Sequence, residues 1–322
     1  MSENVWAEQG ATLSAIESAL RKLLMERHAA VDAFVPARVL NLVVVVDRDW
    51  RGEVANRLEG VGRYHPSRTI VCAVEPGRSS IDARVTVGSE EDLGPGELSL
   101  GREHVALELG EEHLGHLDTI VDPLVVTDLA TVVWAPHGHR EGVDALMRLA
   151  QVVLVDSLDE PSIGSALERV RELSERCYVV DLAWLRGTPW RERVAATFDP
   201  PAWRGELGAI DSVEVRHRPD SVAAALLLVG WLGSRLGWRP EGLIEHEGSL
   251  RGHARSGRRE VQVMLRSDPR QTVPGLSGVT VSTGSGMSIS LDRGPGGLAA
   301  ERRTAKGRTS RWTVVGASRG EA

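Results

Sequence analysis

The chain has 322 residues, 42 % of them hydrophobic and 26 % charged, with a net charge of −7. That length buries a sizeable core and ordinarily divides into two domains, and the balance is that of a soluble globular protein. The negative field repels nucleic acid, no block of like charge overrides it, and no apolar run is long enough to span a bilayer. The opening MSENVWAEQGATLS lacks a basic region followed by an apolar core, so no signal peptide is read there and a cytoplasmic location is expected.

In chain order, Leu13, Ile16, Leu20, Leu23 and Leu24 recur at helical spacing, which predicts a helix over Thr12–Arg27. Val39–Asp47 is a near-continuous β-branched run, as expected of a strand covered on both faces. RGEVANRLEGVG reads as a helix and Ser67–Val74 as the next strand. Asp82–Gly88 and Glu103–Gly110 alternate in polarity and read as antiparallel strands nearer an edge. A helix near Glu111–Ile120 then leads to a strand at Leu129–Pro136. REGVDALMRLAQ reads as a helix before a strand at Val152–Ser157. Ile163, Leu167, Val170 and Leu173 mark one face of another helix, which leads to a strand at Cys177–Trp184.

Beyond Asp199–Leu207 the grammar changes. One strand, DSVEVRHR, and one long helix, Asp220–Leu236, precede alternating runs only: Arg259–Ser267, SGVTVS, Met287–Leu291, LAAERRT and RWTVVGA. The predicted fold is α/β, a mostly parallel sheet covered by helices on both faces. A smaller α+β C-terminal domain with an antiparallel sheet follows it. The domains are read as a helical extension over 1–35, an α/β domain over 36–204 and an α+β domain over 205–322, with an alternative cut near 160.

Several chemistries have no motif here. No GxGxxG follows the first strand, and there is no GxxxxGK[ST] loop, HExxH, CxxC pair or GxSxG elbow. No catalytic residue, cofactor or metal is therefore assigned. Cys72 and Cys177 each sit in an apolar strand-like run and read as free thiols, a redox pair only if their strands are neighbours. Where a doubly wound sheet binds something, it does so beyond the carboxyl ends of its strands. Those ends carry Asp47, Arg48 and Asp49; Trp134, His137 and His139; Asp156 and Ser157. Asp156 or Ser157 is placed to cap the following helix, and His137-Gly-His139 is at most half a metal site.

The stretch VVDLAWLRGTPWRERV (Val179–Val194) is the densest of these ends. Thr188-Pro189 is helix-start punctuation, which leaves Trp184, Arg186, Trp190 and Arg191 as candidate partner-binding residues on an exposed rim. Core packing beneath loops is the ordinary alternative for each tryptophan. Alternatively, Arg186 and the helix start at Thr188 hold the phosphate of a sugar phosphate. His65 and Arg68 in GRYHPSRTI lie at the opposite end of the sheet, as a structural turn with Arg68 paired to a carboxylate or as a second partner surface. An enzyme using Asp181 or Asp156 as general base is a third reading, without an evident partner acid or nucleophile.

HPSR, Asp122–Pro136, VVLVDS, DLAWLRGTPWRE and the SRLGW that ends the long helix occur in an order that resembles the glucose-6-phosphate dehydrogenase assembly protein family of actinobacteria and cyanobacteria. The resemblance runs from about Val39 to Trp238. It implies a non-catalytic partner that binds glucose-6-phosphate dehydrogenase, promotes its active oligomer and so supports NADPH production in the oxidative pentose phosphate pathway. In cyanobacterial members it also ties cysteine redox state to regulation, whereas the two thiols here sit in strand interiors.

Overall fold

A computed structural model describes residues 2–30, 34–35, 38–62, 66–89, 99–158, 160, 162–294 and 296–315. The chain divides into two compact units, Met1–Val180 and Asp181–Ala322. The sequence-based boundary lies later, at 204/205. The difference has a physical source: Trp190, Val194 and Phe198 all belong to the second unit's apolar core, so the helix carrying them goes with that unit.

The first unit begins with β1 (Ser2–Glu8), α1 (Leu13–Ala30), β2 (Phe34–Val35), β3 (Leu40–Asp47), α2 (Arg51–Gly62) and β4 (Ser67–Val74). It continues with β5 (Asp82–Ser89), β6 (Ser99–Leu109), α3 (Leu117–Val121), β7 (Thr131–Trp134) and α4 (Arg140–Leu146). β8 (Val152–Val155), α5 (Ile163–Ser174) and β9 (Tyr178–Asp181) complete its sheet. The strand order is β1-β5-β6-β4-β3-β7-β8-β9, with β2 paired to β6. From β6 to β8 every pairing is parallel. β5 runs antiparallel to β6, and β1 antiparallel to β5, so the antiparallel edge is where alternation predicted it.

Residues 1–35, read from sequence as a helical extension, instead supply an edge strand as well as α1. Ile16, Leu20 and Leu23 of α1 are buried in the core of this unit. Val43 to Val46 of β3 have 0 % exposure, which is why the run reads as apolar without alternation. Each such side chain contributes about 1.5–3 kcal/mol on burial, so the centre of this sheet is its most stable part. Cys72 lies in β4 and Cys177 immediately before β9, with β3, β7 and β8 between them. The two thiols are therefore no redox pair. Burial pushes the Cys72 thiol up to about 12 and raises that of Cys177 as well.

The second unit contains α6 (Leu182–Arg186), α7 (Thr188–Phe198), α8 (Pro201–Arg204), β10 (Ile210–His217) and α9 (Val222–Leu236). Seven strands follow: β11 (Arg239–His246), β12 (Ser249–Ser256), β13 (Arg259–Ser267), β14 (Leu276–Thr283), β15 (Ser288–Gly294), β16 (Gly297–Arg303) and β17 (Thr309–Val315). Their order is β11-β12-β13-β10-β14-β15-β16-β17. β10 pairs parallel with β13, and the other pairings are antiparallel. Along β13, Val261, Val263 and Leu265 are buried while Glu260, Gln262 and Arg266 are exposed, the period-two pattern of a sheet covered on one face. Leu228 and Leu232 of α9 belong to the same core. Gly237, left-handed at φ 66°, terminates that helix. Among the described residues no helix is long and apolar enough to cross a membrane.

Candidate functional site

In the first unit the chain passes from β3 to β4 on one side and later to β7 on the other side of β3. The carboxyl ends of β3 and β7 thus flank a topological switch point, where open α/β sheets form their crevice. β3 ends at Asp47, and a single 3-10 turn, Arg48–Trp50, follows it. Beyond β7, His137, Gly138 and His139 take φ values of 68°, 122° and 57°. Left-handed backbone costs about 1–3 kcal/mol at a non-glycine residue, so the surroundings must hold both histidines there. Three contacts do so. The His137 ring lies 5.0 Å from the Trp50 ring, His139 Nε2 is 3.0 Å from Asp47 Oδ1, and the Val143 N–H donates to the His139 carbonyl at 3.1 Å. The His139–Asp47 contact lacks hydrogen-bond geometry, so Nε2 remains an unsatisfied interior atom. A cavity of about 290 Å³ adjoins, lined among others by Trp134, His137, Arg140, Asp156 and Glu160. Trp50 is 46 % exposed, high for so large a ring.

On the other flank, Arg48, Arg51 and Arg78 meet Glu75, Asp82 and Glu108. Arg48 reaches Glu75 at 2.8 Å, Arg51 pairs with Glu108, and Arg78 spans Glu75 at 2.6 Å and Asp82 at 2.8 Å. A hydrogen bond to Glu75 raises the Arg78 pKa. The backbone N–H of Gly10, and then Arg78, hold the Asp82 carboxyl below its usual range. The network pins the β4–β5 loop across the end of β6. A Cβ at Gly110 would stand 1.7 Å from the Arg78 carbonyl oxygen, so only glycine fits beneath that loop. Beside it lies a cavity of about 580 Å³, with Ala7, Ala55 and Ala106 on its walls and Arg51, Arg84 and His104 around them. Burial lowers the His104 pKa, which keeps the ring neutral near pH 7.

The α6–α7 segment is built differently from its sequence-based reading. Asp181 caps α6 by accepting from the Ala183 N–H at 2.8 Å, which occupies the carboxylate considered as a base. Trp190 is 2 % exposed and Arg191 9 %, so neither stands on an exposed rim. The Arg191 guanidinium lies 3.4 Å over the Trp184 ring and donates to the Trp184 carbonyl and to Thr188 Oγ1, both at 2.7 Å. It fastens α6 to α7. A Cβ at Gly187 would come 2.8 Å from Arg191 Nη1, so the glycine makes room for the guanidinium. Burial lowers the Arg191 pKa. Trp184 and Arg186 are half-buried, and Arg186 is engaged within the chain.

Arg68 is buried, donating from Nε to Glu103 at 2.7 Å and from Nη1 to the Leu124 carbonyl at 2.8 Å. The paired-turn alternative therefore describes Arg68, and a partner surface does not. His65 lies outside the described residues. Asp156 accepts from the Leu158 N–H at 3.1 Å, and the cap of α5 is instead Ser162, which accepts from the Ser165 N–H. Among the described residues no three His, Cys, Asp or Glu side chains gather as metal ligands. Sequence reasoning collected Asp47, Arg48, His137 and His139 but missed Glu75, Arg78 and Glu108 as the charged partners around Arg48. The one available signal was the proximity of these residues to the ends of β-branched runs.

Residues 59–172 match the family model described as the glucose-6-phosphate dehydrogenase subunit N-terminal domain, and residues 177–318 match the model of that subunit's C-terminal domain. Two cyanobacterial relatives are each called "Putative OxPP cycle protein OpcA". That of Synechococcus elongatus is 26 % identical over 61 % of this chain and 45 % of its own length. That of Synechocystis is 29 % identical over 43 % of this chain and 30 % of its own length. The chain thus spans less than half the length of either relative. Among solved structures, an apo scyllo-inositol dehydrogenase from Lactobacillus casei aligns at TM-score 0.43 and 10 % identity, covering 86 % of this chain and 82 % of that one.

Proposed function

This chain belongs to the glucose-6-phosphate dehydrogenase subunit family, and from that premise we propose a non-catalytic partner that binds the dehydrogenase and favours its active oligomer. Such a partner raises NADPH supply through the oxidative pentose phosphate pathway without itself turning over substrate. The observation that carries the reading is the ordered match of both domains of one assembly-type subunit along a single chain. The strand-end geometry supports it. Arg48, Arg51 and Arg78 direct their guanidinium groups at carboxylates of the same chain, an arrangement that stiffens a docking scaffold. Asp181 and Asp156, the two carboxylates open to a catalytic reading, serve as caps of local turns.

A binding partner shifts an oligomer equilibrium only by its differential affinity for the two states. A tenfold shift requires about 1.4 kcal/mol of that difference, within reach of a few aromatic and arginine contacts. The test is co-purification with glucose-6-phosphate dehydrogenase from the same source, followed by activity and sedimentation with and without this chain. Stable association with increased activity is expected. A dehydrogenase whose rate and mass are indifferent to saturating amounts of the chain would overturn the reading.

The second reading is a sugar-phosphate sensor, read from sequence at Arg186 and Thr188, whose side chains are already engaged within the chain. Calorimetric titration of the chain alone with glucose 6-phosphate and 6-phosphogluconate separates the two. Heat with either ligand supports the sensor, and its absence alongside dehydrogenase binding leaves the assembly role.

A further inference from the structure

We propose that Trp50, His137, Asp47 and Asp49 form a guanidinium-recognition site, the point at which an arginine side chain of the partner protein is held. The identity of the partner rests on the proposed function, while the site's chemistry rests on the geometry alone. The two flanks of the switch-point crevice differ in their charge balance. On the Glu75–Glu108 flank every carboxylate has an arginine of its own chain. On the Trp50 flank, the Asp47 side chain is 47 % exposed and has His139 as its one charged-group contact among the described residues, and Asp49 is exposed. Neither has an arginine or lysine partner among the described residues. Two carboxylates without an arginine or lysine partner among the described residues thus lie three and one residues before a half-exposed indole in the chain.

The indole makes the complement specific. Its ring is tilted 33° against the His137 imidazole at 5.0 Å, which fixes its orientation and leaves 46 % of the residue open. A planar guanidinium stacks on such a ring while offering paired N–H donors to a carboxylate, whereas an ammonium provides a point charge without the plane. Tryptophan with a charge partner at a rigid, pre-positioned site is also the usual composition of an interface hot spot. The left-handed backbone at His137 and His139 fits this role. It orients the imidazole that buttresses Trp50, and it places His139 against Asp47 in a contact that an incoming donor can replace.

The test uses the full chain with Trp50→Ala and with the double variant Asp47→Asn, Asp49→Asn, each checked for an unchanged melting midpoint. Two readouts are compared: affinity for the dehydrogenase, and quenching of Trp50 fluorescence (wild type minus Trp50→Ala) by N-acetyl-arginine amide, N-acetyl-lysine amide and AMP. Each variant should weaken dehydrogenase binding at least about tenfold, as for a hot-spot residue. The arginine probe should saturate the Trp50 signal in the wild type, outperform the lysine probe and fail on the double variant. Equal dehydrogenase affinity for wild type and variants overturns the site and leaves the proposed function standing. A saturable arginine signal in a chain that does not bind the dehydrogenase upholds the site and removes the function. Preference for AMP over the arginine probe, or an arginine response no greater than the lysine response, overturns the guanidinium assignment.

Discussion

Two tryptophans in this chain sit in the turn or helix that follows a strand, each against a nitrogen-bearing side chain, and they do opposite work. Trp184 lies under the Arg191 guanidinium, whose hydrogen bonds end on the Trp184 carbonyl and Thr188. Trp50 lies against His137 with nearly half its area open. In the first pair the cation is consumed by the fold. In the second, no guanidinium of the described residues covers the ring. A motif of tryptophan and arginine after a strand therefore identifies a strong local contact, but the accounting of hydrogen-bond donors decides whether that contact is structural.

The comparison breaks or sharpens most clearly through stability. Trp190→Ala removes a fully buried ring from the second unit's core and should cost about 3–5 kcal/mol in urea unfolding. A loss below about 1 kcal/mol would return Trp190 to the surface set. Arg191→Ala leaves the Trp184 carbonyl and Thr188 without their donor, so a loss of about 1–3 kcal/mol is expected in the same measurement. Acid should act next. Burial depresses the pKa of His104 and His217 below the ordinary 6.5, so the unfolded chain binds their protons first. Stability is then full above pH 6.5 and falls as pH drops below it, by at most ~1.4 kcal/mol per pH unit for each histidine. Urea midpoints measured from pH 8 to 5 check the sign, and a rise on acidification would contradict it. The smallest effect belongs to Trp50→Ala, expected within about 0.5 kcal/mol of wild type in stability despite its predicted effect on binding.

Much of the architecture is legible in the sequence because burial on both faces leaves an unmistakable apolar run. β3, β4 and β7 are such runs, and β13 to β16 show the alternation of a sheet covered on one face. β11 is illegible for a physical reason. As an edge strand with Pro240 and Gly242, and with seven of its eight residues exposed, it has neither apolar period nor strand-like composition. β1 fails similarly, since SENVWAE draws its strand character from pairing with β5 rather than from its own side chains. At the candidate sites, residue types were readable and their accessibility was not. Arg68, Trp190 and Arg191 have the composition of a binding surface, yet Glu103 and the Leu124 carbonyl absorb Arg68, the second core absorbs Trp190, and the Trp184 carbonyl and Thr188 absorb Arg191. The left-handed turn at His137–His139 had one weak signal, the glycine between the two histidines.

The parallel pairing of β10 with β13 has a consequence for how the second unit is made. Both strands that pair with β10, β13 on one side and β14 on the other, are synthesised after α9, β11 and β12. Until Ser267 has emerged, Val213 and Val215 of β10 and the Leu228–Leu232 face of α9 have no sheet to close on. At about 5–20 residues per second this apolar pair stays uncovered for a few seconds of translation. Premature termination anywhere between Leu236 and Arg259 would yield a first unit trailing an adhesive helix and a strand with two open edges, a product destined for chaperones or aggregation.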